Sequence, residues 1–214
     1  MPIVATHLHL KKVIFRYLLD HLKLVLFKEN CYNTINIIHS LTSFMSIHNL
    51  PFGEPEAFNA VIEIPKGSQD KYEYDEKLDV IKLDRVLFSS QIYPANYGFI
   101  PETRAADGDH SDVLLLSTNP LAPGTVAVCR PIGIMDMVDA GEVDNKIIAV
   151  PVVDPRFADV MSLEDLPVHA LKEIQNFFET YKILQNKKVE VKGFRDKTAA
   201  LEELKNTRDA FTRE

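Results

Sequence analysis

Cysteine occurs only twice in this chain, at Cys31 and Cys129. Two thiols are too few for a disulfide framework and match no zinc-ligand spacing, so the sequence points to a reducing compartment, with cytoplasm as the expected location. An uninterrupted apolar run of membrane length is also missing. The nearest candidate, "VIFRYLLDHLKLVLF" (13–27), is broken by Arg16, Asp20, His21 and Lys23, so no membrane partner is expected. Basic excess is lacking too: the formal net charge is −7. Nucleic-acid binding needs a basic face to neutralise phosphates, and neither that nor an aromatic-basic stripe is present. No Walker A or Gly-rich nucleotide loop occurs, which counts against a nucleoside triphosphatase. No Ser/His/Asp or Cys/His nucleophilic set is evident, and there is no internal repeat or low-complexity tract.

Charge is unevenly spread. Residues 1–50 hold five basic and two acidic side chains, which leaves the remainder with a balance of −10. Residues 1–44 also carry four of the seven histidines. This segment is expected to be a non-core N-terminal extension: an amphipathic helix, an organelle transit peptide, or sequence upstream of a functional start at Met45. A transit peptide would move the protein to an organelle without changing its chemistry. The domain proper is expected over 45–214.

From Pro51 onward the punctuation is regular. "AFNAVIEIP" (57–65), "KYEYD" (71–75), "DVIKLDRVLF" (79–88), "SDVLLLS" (111–117), "GTVAVCRPIGIMDMVD" (124–139), "KIIAVPVVD" (146–154) and "KKVEVKGF" (187–194) read as strands between Gly and Pro. Pro131 and Gly133 predict a bend or bulge in the fifth of these. Leu171, Ile174, Phe177, Phe178 and Tyr181 recur at three and four, one apolar face of a helix with Pro167 in its first turn. A second helix is expected over 196–211. Short strands forming a barrel-like core, followed by two C-terminal helices, make an α+β domain.

The chemistry lies in two acidic stretches. "DGDHSD" places Asp107, Asp109 and Asp112 within six positions, and "DAGEVDNK" adds Asp139, Glu142 and Asp144 before Lys146. Counted as an EF-hand from Asp107, the glycine and glutamate positions hold Asp112 and Thr118, so that calcium loop fails. Asp-Gly-Asp alone also suits a plain turn. Two acidic loops at strand ends are different. If they face one another, their mutual repulsion demands cations, and hard divalent ions with oxygen ligands meet that demand. Two ions about 3.5–4 Å apart would form the clamp used in phosphoryl chemistry. A phosphate substrate also needs donors, and Lys71, Arg85, Tyr97, Lys146, Tyr181 and Lys182 are the candidates.

Taken together, "VIEIPKGSQDKYEYD", "LDRVLFSSQIYPANYGFIPET", "DGDHSDVLLL", "CRPIGIMDMVDAGEVDNKIIAVP" and "FFETYK" resemble, in order and spacing, the soluble family I inorganic pyrophosphatases. The resemblance runs from about Phe58 to Phe211. It implies a five-stranded OB-like β-barrel core with the two helices packed outside. It implies hydrolysis of inorganic pyrophosphate to two orthophosphates, dependent on Mg²⁺, with Mn²⁺ or Zn²⁺ as substitutes. By the same resemblance, Asp107, Asp112, Asp139 and Asp144 hold metal, with Asp112 bridging. Asp109 is the general base on the attacking water. Lys71, Arg85, Tyr97, Lys146, Tyr181 and Lys182 hold the two phosphoryl groups, while Glu63 and Glu73 line the cavity. A homo-oligomer, with a hexamer favoured, is implied for bacterial-type relatives. His110 and Ser111 depart from the family pattern, which has proline or glutamate and then an aliphatic residue. His110 is expected either to face solvent in a turn or to contact metal or substrate.

Overall fold

Alternating apolar residues make "AFNAVIEI" a strand that must bury at least one face, and in the computed structural model of this chain it becomes the centre of the architecture. The structure describes residues 46–212. The expectations for residues 1–44, and for Met45 as a start, lie outside them. The chain divides into two compact units, Met1–Asn49 and Leu50–Glu214. Among the described residues of the first, a 3-10 turn spans Ile47–Asn49.

The second unit contains ten strands and two α-helices. The strands are β1 (Gly53–Glu54), β2 (Ala57–Ile64), β3 (Asp70–Asp75), β4 (Val80–Val86), β5 (Asn96–Ile100), β6 (Ser111–Leu115), β7 (Val126–Asp139), β8 (Glu142–Val143), β9 (Lys146–Pro151) and β10 (Val189–Arg195). The helices are α1 (Val168–Thr180) and α2 (Lys197–Ala210). β2 pairs with β5, β5 with β6, β6 with β9, β9 with β7, and β7 returns to β2. That ring of five is a closed barrel, which leaves its members without free edges. β1, β8 and β10 extend it, and β3–β4 forms a separate hairpin. α1 packs against β10, and α2 against β7 and β10. The result is the expected α+β barrel with two C-terminal helices.

Strand ends follow local chemistry. In α2, the Asp196 carboxylate accepts a hydrogen bond from the Ala199 N–H and caps the first turn. α1 begins immediately after Pro167, whose missing N–H costs nothing there. The β7–β9 register shifts between Pro131 and Gly133, where the bend was expected. β5 was not among the expected strands, because Gly98 interrupts its apolar pattern. A Cβ at Gly98 would lie 1.9 Å from the Val61 carbonyl oxygen, so glycine is what lets β5 approach β2. Asn96, fully buried, anchors the start of β5. Its Oδ1 accepts from the N–H groups of Lys66 and Leu121, and its Nδ2 donates to Ser117 Oγ.

Two cores result. Beneath α1 lie Tyr93, Tyr97, Ile174, Phe177, Phe178 and Tyr181 with Leu114, Met135 and Ile148. Beneath α2 lie Phe52, Phe58, Val113, Leu115, Ile134, Ile147, Ala200 and Leu204. Along β6 and β9, successive residues alternate between them, as a pleated strand requires.

Candidate active site

β6 and β9 are the one parallel pair in the barrel, and their register makes Asp112 the Cα partner of Lys146. Lys146 is only 2% exposed, and its ammonium bridges the carboxylates of Asp112 and Asp144. Burial works against that charge, but the two carboxylates outweigh it and hold the lysine protonated above its ordinary range. The same ammonium lies 5.6 Å from the Tyr97 ring centre.

The second acidic stretch is a tight hairpin. Asp139 and Glu142 face each other across Ala140 and Gly141, both with positive φ, the two-residue turn that matches strand twist. It leaves Asp139 at the end of β7 and returns Asp144 toward β9. Lys182, at the end of α1, reaches back to Asp139 and forms an ion pair with it. The first stretch is tied to itself. The Asp109 N–H donates to Asp107 Oδ1 (3.0 Å), the Ala105 N–H donates to the Asp109 carbonyl (2.8 Å), and Arg104 donates to the Gly108 carbonyl.

The β3–β4 hairpin supplies the third wall. Lys71 and Arg85 are Cα partners across it. Lys71 pairs with Glu73 and lies 3.8 Å from Asp84, and Arg85 Nη1 donates to Asp84 at 2.7 Å. Glu63 enters from β2 where the β2–β5 register shifts, a bulge that re-aims a side chain. It accepts a 2.6 Å hydrogen bond from the Tyr74 N–H. Burial pushes its carboxyl up to about 8, with Asp112 adding to the rise.

These elements enclose one cavity of about 490 Å³. Its walls carry Asp107, Asp109, Asp112, Asp139 and Asp144, the cations Lys71, Lys146 and Lys182, the phenols Tyr97 and Tyr181, and both Glu63 and Glu73. Of the residues to which the resemblance gave a role, Arg85 does not line it, and neither does Glu142 of the second acidic stretch; the buried Arg85 Nε has no hydrogen-bond partner among the described residues. Burial raises the Tyr97 and Tyr181 hydroxyls well above their usual range, so both remain neutral O–H donors. At the mouth, Asp109 is raised first by lost hydration and then by Asp107 and Asp112.

Sequence reasoning passed over Tyr93, Phe99, Glu76 and Tyr74, and read Phe178 only as helix core; all five line the cavity. Tyr93 stands four residues before Tyr97, and the two rings sit 5.7 Å apart; that spacing was its only signal. His110 does not stand free in solvent: it lines the same cavity, and its Nε2 faces the Glu76 carboxylate at 3.4 Å. It is half-buried, stacked 5.1 Å from the Phe99 ring, and its Nδ1 donates to the Thr103 carbonyl at 2.9 Å.

Among the described residues, no three Asp, Glu, His or Cys side chains stand close enough to enclose an ion as the chain lies. The reason is visible in the ion pairs, since Lys146 and Lys182 hold three of the four proposed ligands. The donor set still suits a hard cation. It is all oxygen, a positive charge already bridges Asp112 and Asp144, and Asp139 Oδ1 is buried with no hydrogen-bond partner among the described residues.

Comparison with known proteins agrees. The family model "Inorganic pyrophosphatase" matches residues 60–212. An inorganic pyrophosphatase of Halalkalibacterium halodurans is 56% identical over 147 residues, 69% of this chain and 90% of that protein. Soluble inorganic pyrophosphatase 1 of Arabidopsis thaliana is 46% identical over 159 residues, 74% of this chain and 75% of the plant protein. The crystal structure of inorganic pyrophosphatase from Thermus thermophilus superposes with a TM-score of 0.75 at 47% identity, covering 77% of this chain and 98% of that one.

Proposed function

This chain belongs to the inorganic pyrophosphatase family and hydrolyses pyrophosphate, and on that premise we propose how its own residues divide the work. The observation that carries the reading is the convergence of five aspartates and three lysines from separate strands and loops on one cavity. A pyrophosphate anion would otherwise be repelled by that many carboxylates, so the family's divalent cofactor is integral to the chemistry.

Mg²⁺ is the proposed ion. Asp107, Asp112, Asp139 and Asp144 would hold it, and when bound it supplies Lewis acidity toward phosphoryl oxygens and lowers the pKa of a nearby water. To release Asp112, Asp144 and Asp139 for that duty, Lys146 and Lys182 must change partners. Phosphoryl oxygens are the anions available to them, which couples loading of the site to binding of substrate. Lys71, now neutralised by Glu73, takes phosphoryl oxygens from the opposite wall, and Arg85, its Cα partner, must leave Asp84 and turn inward to do the same. Tyr97 and Tyr181 donate neutral hydroxyls, and charge spreading onto the oxygens in the transition state is offset by these donors. Asp109, at the mouth, accepts the proton of the attacking water. Without metal its pKa is raised, first by lost hydration and then by Asp107 and Asp112. Glu63, held neutral by burial, keeps the β3 backbone against the cavity through Tyr74.

The test is phosphate release from pyrophosphate by the full chain with Mg²⁺, repeated with chelator and with ATP in place of pyrophosphate. Release that requires Mg²⁺ and strongly prefers pyrophosphate supports the reading; equal use of ATP overturns the substrate assignment. Residues 45–214 are proposed as the catalytic domain and 1–44 as a non-core extension, so removing 1–44 should leave activity in place. A homo-oligomer, hexameric by family resemblance, is proposed from exposed apolar side chains such as Val153 and Met161, and sedimentation decides it. A reducing cytoplasmic setting is proposed from the free, buried Cys129 thiol.

A further inference from the structure

Four rings form a column that crosses from the β3–β4 hairpin to the end of α2. Tyr74 of β3 stacks on Phe99 of β5 (5.3 Å, 20°), Phe99 stacks on His110 (5.1 Å, 14°), and His110 meets Phe211 (5.9 Å, 36°). His110 is the only member of the column carried by the acidic loop, lying between Asp109 and Asp112. Its Nδ1 donates to the Thr103 carbonyl at 2.9 Å, while Thr103 Oγ1 accepts from the Ser111 N–H at 2.8 Å. Its Nε2 faces Glu76 Oε1 of the hairpin turn at 3.4 Å. Arg104 completes the clamp, with its guanidinium 5.7 Å from the Phe211 ring centre.

We propose that His110 is a positioning residue for the pyrophosphatase site: its ring, held in the column, fixes the acidic loop against the hairpin that carries Lys71 and Arg85. This rests on the reading of the site given above. The physical reason is local. Asp107 and Asp109 are exposed, and the loop's internal hydrogen bonds fix its shape but not its place relative to the hairpin. The contacts described above that cross between loop and hairpin side are those of His110, directly to Glu76 and through Phe99 to Tyr74. Asp112 is fixed in β6, so displacing the loop separates Asp107 from Asp112, Asp139 and Asp144, and ion binding should suffer before substrate binding does. Groups behind metal ligands typically act in this way.

The experiment uses the full chain with His110→Ala, His110→Phe and Phe211→Leu. Mn²⁺ binding without pyrophosphate is read by calorimetry, and kcat and KM are read at saturating Mg²⁺. His110→Ala should weaken Mn²⁺ binding and raise the half-activating Mg²⁺ concentration by roughly tenfold, with KM for pyrophosphate within about twofold of wild type. His110→Phe, which keeps the stack, should recover most of that loss. Phe211→Leu, which trims the outer ring without touching the loop, should weaken Mn²⁺ binding by about threefold, and it carries the test if His110→Ala fails to fold. Wild-type Mn²⁺ affinity in a folded His110→Ala chain whose melting temperature alone has dropped overturns the proposal, as does a His110→Phe chain no better than alanine. Should wild type release no phosphate from pyrophosphate, the functional reading fails instead, and the Mn²⁺ titration still decides what His110 does.

Discussion

The face of the barrel beneath α1 and the face beneath α2 are built from the same strands, yet only one carries chemistry. Leu114 and Ile148 point toward α1, while Val113, Leu115, Ile147 and Ala149 point toward α2. The α2 side is largely aliphatic, closed by Ala200 and Leu204. The α1 side is aromatic, and its Tyr93, Tyr97, Phe178 and Tyr181 serve both as core and as cavity wall. A tyrosine can do this because its ring buries like phenylalanine while its hydroxyl reaches the edge of the cavity. One face is therefore free to change with only stability at stake. The other ties stability to function.

The sharpest break between the faces is the neighbouring pair Asp112 and Val113. Asp112→Asn should lower turnover by about two to four orders of magnitude, since it removes a charge the ion and Lys146 both need. Its thermal unfolding should fall far less than its turnover, because Asp144 still pairs with Lys146 and the asparagine oxygen can still accept from it. Val113→Ala should do the reverse, costing about 2 kcal/mol in urea unfolding with turnover intact. Comparable turnover in the two variants would show that the faces are not divided as described. Asp109→Asn should also lose turnover, yet retain more Mn²⁺ affinity than Asp112→Asn.

Much of this division could be read from the residues. The acidic stretches, the strands around them and the helix bearing Phe177, Phe178 and Tyr181 all announce themselves through spacing. The resemblance supplied roles that spacing could not. What stayed hidden depended on long-range register. The pairing of Asp112 with Lys146 follows from a parallel alignment of β6 and β9, set by barrel closure rather than by either strand. β5 was missed because Gly98 serves a contact with Val61 instead of a pattern of its own. His110 was weighed as solvated or ligating because both of its stacking partners, Phe99 and Phe211, are distant in sequence.

Next in size is a paired truncation, Phe178→Ala against Leu204→Ala. Each removes a buried side chain, and each should cost about 3–5 kcal/mol by denaturant unfolding. Only Phe178 lines the cavity, and it packs against Tyr97 and Tyr181 at 6.4 and 5.7 Å between ring centres. Phe178→Ala should therefore also raise KM for pyrophosphate severalfold, with KM of Leu204→Ala unchanged. An unchanged KM in both would mean the aromatic face is scaffold alone.

A smaller effect separates the faces by pH. Glu63 has a folded pKa of about 8 against an ordinary 4.5, so folding favours its protonated form. Its contribution is whole below about 4.5 and is lost as pH climbs through 8. In metal-free protein, stability should fall between these limits by at most about 1.4 kcal/mol per pH unit relative to Glu63→Gln, whose amide does not titrate. Urea unfolding in chelator at pH 5, 6.5 and 8 reads the difference. Parallel profiles for the two proteins would remove Glu63 from the account.

The smallest effect tests the α2 face at a polar intrusion. Ser111 shares its side of β6 with Val113 and Leu115 and is buried, but its Oγ has no hydrogen-bond partner among the described residues. Beside it lies a cavity of about 20 Å³, with walls that include Ala105, Ile147 and Glu203. A hydroxyl placed there gives up hydration without recovering a bond, which costs about 1–3 kcal/mol in comparable cases. Ser111→Val replaces that hydroxyl with a methyl group and adds another toward the void, so stability should rise by about 1 kcal/mol. Asp107, Asp112 and Asp144 also border that void, but the added methyl group brings them neither charge nor hydrogen-bond donor, so Mn²⁺ affinity and turnover should remain at wild-type values. If the valine instead alters Mn²⁺ binding more than it alters the unfolding midpoint, the backbone of β6 transmits between the two faces, and Ser111 belongs to the working side of the barrel.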